Sequence, residues 1–132
     1  NICEINIDDV VLYMNKSCPI KIDESLTLIS IKKDTSYLKY NYAIDENYVS
    51  FEEFASLLNL LKEESLKSIT GDLKTLLVNS QFGIMYNYKG SISGKECSFT
   101  LDYEDILNCS FELSDETINE VKDIYDSFFL NN

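Results

Sequence analysis

The sequence predicts an α+β domain in which a four-stranded antiparallel sheet is covered by one long amphipathic helix. Three observations carry this. Two stretches, Leu26–Ile44 and Phe82–Leu101, alternate apolar and polar side chains with the period of two that a half-buried strand requires. Between them, Phe51, Phe54, Leu57, Leu58, Leu61 and Leu66 recur at the three-to-four spacing of a helix with one apolar stripe. One Pro and four Gly in 132 residues leave little chain for linkers, so one domain with its own core is expected.

The elements follow in order. Residues 6–15 place Ile7, Val10, Val11 and Met14 at helical spacing behind Asn6, a possible N-cap, with acids in the first turn, while Ile5, Ile7 and the Val10-Val11 pair also suit an extended strand, the rival reading. Pro19 ends that helix and pushes Cys18 towards an extended backbone. The run Leu26-Thr-Leu-Ile-Ser-Ile31 is rich in strand formers, and Leu38, Tyr40, Tyr42 and Ile44 alternate after a polar turn, which makes a hairpin. Ser50 and Glu53 have the spacing of a capping box and open the long helix, which runs from Ser50 to Ile69 and packs through Phe51, Phe54, Leu57, Leu58 and Leu61. A short helix over 72–79 leads into a second hairpin. There Phe82, Ile84, Tyr86 and Tyr88 alternate first, then Cys97, Phe99 and Leu101 after a turn near Gly90 to Gly94. Ser114 caps a C-terminal helix with Ile118, Val121, Ile124, Tyr125, Phe128 and Phe129 on one stripe. Helix, hairpin, helix, hairpin with a final helix is a cystatin-like layout.

Charge and missing residue types narrow the chemistry. The net charge is −12, every basic residue is Lys, and there is neither Arg nor His. Nucleic-acid binding rests on a basic surface that displaces counterions from phosphates, so no nucleic-acid partner is expected. Without His there is no Ser/His/Asp triad, no Cys/His pair and no His-based metal site within the chain. No window is apolar over the roughly 18 residues that would cross a bilayer as a helix. The chain opens at Asn1 without a basic and apolar export segment, which suits a processed or trimmed product of something longer.

Three constellations carry candidate chemistry. Tyr40, Tyr42, Tyr86 and Tyr88 fall on the apolar alternation of two strands and could line a ligand face; half-buried strands also favour Tyr simply as packing. Cys3, Cys18, Cys97 and Cys109 are even in number and lack a Cys-x-x-Cys pair, so disulfides compete with buried thiols, and no metal or other cofactor is expected. If Cys18 is bridged, the helical rise across residues 6–15 disfavours Cys3 and leaves Cys97 or Cys109. The acid pairs, among them Asp45-Glu46 and Asp102-Tyr-Glu-Asp105, lack the alternation and turn Gly of a calcium loop and read as helix-start and solubility charges.

The stretch Asn15-Lys-Ser-Cys-Pro-Ile-Lys-Ile-Asp23 resembles the Asn-x-x-Cys-Pro-x-x-x-Asp opening of a group of small, mostly uncharacterised, exported bacterial domains of lipoprotein type. The likeness continues more weakly through Asp72-Leu-Lys-Thr-Leu-Leu77, Gly83-Ile-Met-Tyr-Asn-Tyr88 and Phe99-Thr100. The resemblance implies export, with room for a lipid anchor in the precursor, and no catalytic activity. Members carry a second Cys near the end of the central helix as the mate of the first; here that region reads Ser68-Ile-Thr-Gly71, and the family bridge has no counterpart.

Two readings of function follow. The first is a non-catalytic domain exported to the cell envelope or beyond it, binding a protein or small ligand. The alternative is a cytoplasmic acidic partner protein, such as an immunity protein that plugs the basic site of a toxin, where a charge of −12 would speed association. An enzyme working with carboxylates, Tyr, Lys or Ser alone is a third class, and no pair of residues nominates itself as its centre.

Overall fold

The computed structural model describes residues 6–109. Five strands form one sheet in the order β1 (Ile20–Asp23), β2 (Leu26–Asp34), β3 (Tyr37–Ile44), β4 (Gly83–Gly90) and β5 (Glu96–Leu101). Helix α1 (Ile7–Asn15) precedes the sheet. Helices α2 (Phe51–Ala55), α3 (Leu58–Ser68) and α4 (Gly71–Ser80) connect β3 to β4, and α5 (Tyr103–Asn108) follows β5.

The expected four-stranded antiparallel sheet, and the cystatin-like layout with it, is corrected on two counts. First, β3 and β4 pair in parallel, from Tyr37 opposite Gly83 to Ile44 opposite Gly90. The connection between them carries three helices, and a crossover of that kind returns the chain to the end of the sheet where β3 began. The two hairpins were legible; their relative direction was not, because alternation is identical in parallel and antiparallel pairing. Second, β1 is a fifth strand, antiparallel to β2. Its four residues hold only two apolar side chains, too few to register as a pattern.

The long helix expected from Ser50 to Ile69 is divided at Ser56–Leu57. Ser50 does cap the first piece, its Oγ accepting from the Glu53 N–H at 3.1 Å. The break turns Leu57 out to solvent at 48% exposure, while Phe54 is buried against Tyr88. Phe51, Leu58, Leu61 and Leu66 are half-buried against the core. The next helix, expected over 72–79, spans Gly71–Ser80, and Gly71 adopts a φ of +58° between α3 and α4, a conformation costly for a side chain with a Cβ. Residues 114–129, expected to form the C-terminal helix, lie outside the described residues.

One face of the sheet holds the core. Leu28 and Ile31 of β2, Leu38, Tyr40 and Ile44 of β3, Ile84, Tyr86 and Tyr88 of β4 and Leu101 of β5 join Ile7, Phe54, Ile69, Leu77 and Ile106 from the helical side in a single buried cluster. Every described helix that buries a side chain buries it in this cluster, so among the described residues the helices lie on one side. Along β3 the other side chains are Tyr37, Lys39, Asn41 and Ala43, and they point the opposite way. That second face carries no described helix.

Candidate functional site

The four tyrosines nominated from the sequence meet in the core. Tyr40 and Tyr42 lie opposite Tyr86 and Tyr88 in the parallel register. Tyr42 stacks on Tyr88 with 4.9 Å between ring centroids, Tyr86 stacks on Phe99 at 4.7 Å, and Phe54 of α2 leans on Tyr88 at 4.8 Å. The result is an aromatic layer between sheet and helices, with Tyr40, Tyr86 and Tyr88 buried and Tyr42 half-buried. Burial pushes the Tyr42 phenol up to about 12, with Tyr40 adding to the effect. Burial likewise raises Tyr40, Tyr86 and Tyr88. No buried side-chain oxygen or nitrogen among the described residues lacks a partner, so the hydroxyls are either bonded or reach solvent. The layer contributes packing area to the core.

The opening motif also has a structural explanation. Asn15, at the end of α1, donates from Nδ2 to the Ile31 carbonyl at 2.6 Å, and its Oδ1 accepts from the Ile31 N–H at 2.9 Å. β1 pairs with β2 only as far as Leu28, and Asn15 takes over the next outward backbone groups of β2 as a one-residue extension of the ladder. At the other end of the motif, Asp23 Oδ1 accepts from both the Ser25 N–H and hydroxyl at 2.8 Å, which closes the β1–β2 turn and lowers the Asp23 pKa. The peptide between Cys18 and Pro19 is cis.

No disulfide joins Cys18, Cys97 and Cys109 to one another, and Cys3 lies outside the described residues. The Cys18 and Cys109 thiols point at the Met14 and Leu66 carbonyls, and burial raises the Cys97 pKa. No group of three His, Cys, Asp or Glu among the described residues could hold a metal ion. The acids have local employment instead. Glu46 Oε1 accepts from the Ile92 and Ser93 N–H groups at 2.8 and 2.7 Å, which tethers the end of β3 to the β4–β5 turn and lowers the Glu46 pKa. Asp102 and Asp105 form a reciprocal capping box that starts α5. The sequence reading of these acids as helix-start charges holds for this pair.

What remains is the second face of the sheet. Ser30, Asn41, Asn87 and Glu96 form a polar row across four strands. Asn41 Nδ2 donates to Ser30 Oγ at 3.3 Å, and Asn87 Nδ2 donates to Glu96 Oε1 at 3.2 Å and to Asn41 Oδ1 at 3.5 Å. Above the row lies an open groove of about 320 Å³, bounded by Ile29, Ala43, Lys89 and Ser91. Ile29 reaches it because a bulge between Leu28 and Ser30 inserts an extra residue in β2. Among the described residues, the Asn87 carbonyl oxygen and one N–H of the Asn41 amide have no partner, so the row can still accept and donate. Sequence reasoning passed over this face. Its signal was Asn41 and Asn87 in the middle of two strands, where Asn is ordinarily depleted.

No family model and no curated protein matches the chain. Two solved structures share its fold. A protein from Pseudomonas aeruginosa, provisionally described as secreted, aligns with a TM-score of 0.65 at 11% identity, covering 75% of this chain and 88% of its own. A pilotin of the Vibrio vulnificus type 2 secretion system aligns with a TM-score of 0.59 at 8% identity, covering 74% and 86%. At these identities the likeness is one of fold.

Proposed function

We propose that this chain is a non-catalytic domain of the bacterial cell envelope or its surroundings, and that it binds a protein or small ligand through the open face of its sheet. The observation that carries the reading is the groove over Asn41 and Asn87, a half-buried amide row with spare hydrogen-bonding capacity on a face that no described helix covers. Export is supported by the fold likeness to a protein described as secreted and to a secretion-system pilotin, and by the Asn15-to-Asp23 resemblance. A lipid anchor in the precursor belongs to the same reading. Among the described residues no helix is long and apolar enough to cross a membrane.

The test is fractionation of cells producing the full-length gene product. Recovery with the envelope or the medium supports the reading, and recovery wholly in the cytosol refutes the export half of it. Substituting Asn41 and Asn87 by Ser tests the other half, because the folded double variant should lose the partner.

A further inference from the structure

The two edges of the sheet are finished differently. At one edge, β1 has four residues, carries Lys21 and Asp23, and pairs with β2 through an irregular register. Past its end, the Asn15 amide occupies the outward N–H and carbonyl of Ile31. Shortness, charge, a bulge and a covering group are the means by which proteins keep a sheet edge from adding a further strand. At the other edge, β5 has no charge, Pro or bulge along most of its length. Its register with β4 is regular, and Cys97-Ser-Phe-Thr-Leu101 runs five residues without a charge.

Two hydrogen bonds fix which backbone groups that edge presents. The Gly83 N–H donates to the Ser36 carbonyl on the β3 side at 2.9 Å, and the Gly90 N–H donates to the Lys95 carbonyl on the β5 side at 2.8 Å. Backbone groups alternate in direction along a strand, so Ile84, Tyr86 and Tyr88 turn theirs to β5 as Gly90 does. Their partners Leu101, Phe99 and Cys97 spend their own N–H and carbonyl groups on β4. The N–H and carbonyl groups of Glu96, Ser98 and Thr100 therefore point away from the sheet, and among the described residues they have no partner. Glu96 and Ser98 are exposed, while Cys97 and Phe99 pack on the core but stay half-buried.

This edge offers a donor beside an acceptor at every second residue, about 6.8 Å apart, which is the repeat of another extended backbone. A helix has already bonded its own backbone groups and does not match it. A second copy of the chain brings a further −12 charges and is repelled. Residues 110–132 space Ile118, Val121, Ile124, Tyr125 and Phe128 by helical threes and fours, without the alternation of a strand.

We propose that β5 takes up an extended, uncharged segment of a partner protein as an added antiparallel strand. Its hydroxyl side chains lie opposite Ser98 and Thr100 on the open side, and its apolar side chains lie beside Cys97 and Phe99 on the helical side. Antiparallel pairing sets bonded residues directly opposite one another, where Thr and Ser pairs add to the ladder. The proposal goes beyond the groove and stands on the edge alone, although Glu96 belongs to both.

The experiment uses the intact 132-residue chain, isotope-labelled, and a heptapeptide blocked at both ends that alternates Val and Thr, beginning and ending on Val. In the free chain the amides of Ser98 and Thr100 should exchange quickly with solvent and those of Cys97, Phe99 and Leu101 slowly. Saturating peptide should protect Ser98 and Thr100. Methylating the peptide nitrogens of its Thr residues, which face β5, should abolish binding, whereas methylating those of its Val residues, which face away, should spare it. Ser98→Pro removes one outward N–H and no bond to β4, and should weaken binding by about fivefold or more, the scale of one backbone hydrogen bond. The methylated peptides test the same point on the unaltered protein. Equal binding of the two methylated peptides, or no binding of the parent peptide, overturns the proposal. Slow exchange of Ser98 and Thr100 in the free chain also overturns it, since the edge would then be filled by the chain itself or by a second copy. Peptide shifts confined to the Asn41 and Asn87 side-chain amides would overturn the edge and leave the open-face reading standing.

Discussion

Replacing Asn15 by Ala removes one side chain and strands two backbone groups. The Ile31 N–H and carbonyl bonded by the Asn15 amide belong to strand β2, and Ile31 itself is fully buried. Leaving a buried donor or acceptor unpaired costs about 1–3 kcal/mol. The contact is only part-buried, so water can enter, and the lower half of that range applies to each group. The sum for the two groups is about 2–4 kcal/mol, and the tie to the Val11 carbonyl in the last turn of α1 is lost with them. With a urea slope of about 2 kcal/mol per molar, the unfolding midpoint should fall by about 1–2 M at unchanged slope. Asn15→Asp should be nearly as damaging, because it keeps an acceptor for the Ile31 N–H but turns an oxygen towards the Ile31 carbonyl. A midpoint within about 0.2 M of the parent for both variants would refute the reasoning, since the contact would then contribute less than the smallest cost that principle allows.

Gly83→Ala should lower stability by about 1–3 kcal/mol, because a Cβ there would meet the Leu101 carbonyl at 2.5 Å and the Tyr37 ring at 2.9 Å; an unchanged urea midpoint would contradict it. The phenols of Tyr40, Tyr42, Tyr86 and Tyr88 are raised by burial, Tyr42 to about 12, so their contribution to stability is full below the unfolded value near 10 and is lost as pH rises from there. Phenolate absorbance of the folded protein should accordingly rise at higher pH than that of the unfolded chain, and coincident titration of the two would refute it. Glu46 is held below the ordinary glutamate value by the Ser93 N–H first, then by Ile92 and the Ser93 hydroxyl. The tether it forms is therefore present above the unfolded value and is released as pH falls through the lower folded one; carboxyl resonances showing Glu46 at or above the ordinary range would exclude it.

The sequence carried the local information well and the long-range information poorly. Alternation at Leu38–Ile44 and Ile84–Tyr88 reported which residues face the core because each strand's period is local. Direction was invisible, since Tyr40 beside Tyr86 satisfies the same pattern whether the strands run together or oppose. The apolar stripe of 51–66 read as one helix because the turn at Ser56–Leu57 costs no apolar position and carries neither Gly nor Pro. The tyrosines drew attention as a ligand face, yet stacking four of them with Phe54 and Phe99 is how this small core obtains its area. The open face escaped notice for the opposite reason: Lys39, Asn41 and Asn87 occupy the polar half of the alternation, which is ordinarily solvent, and only the cross-strand register brings Lys32 to Lys39 and Asn41 to Asn87.

The central claim is that the partner meets the open face of the sheet and not the helical side. Site-specific photo-crosslinking in cells producing the full-length gene product tests it, with the reactive side chain placed either at Lys89, on the open face, or at Leu60, exposed on α3 at 55%. The account predicts a discrete adduct from Lys89 that is lost in the N41S/N87S background, and none from Leu60. An adduct from Leu60 with none from Lys89 would contradict it.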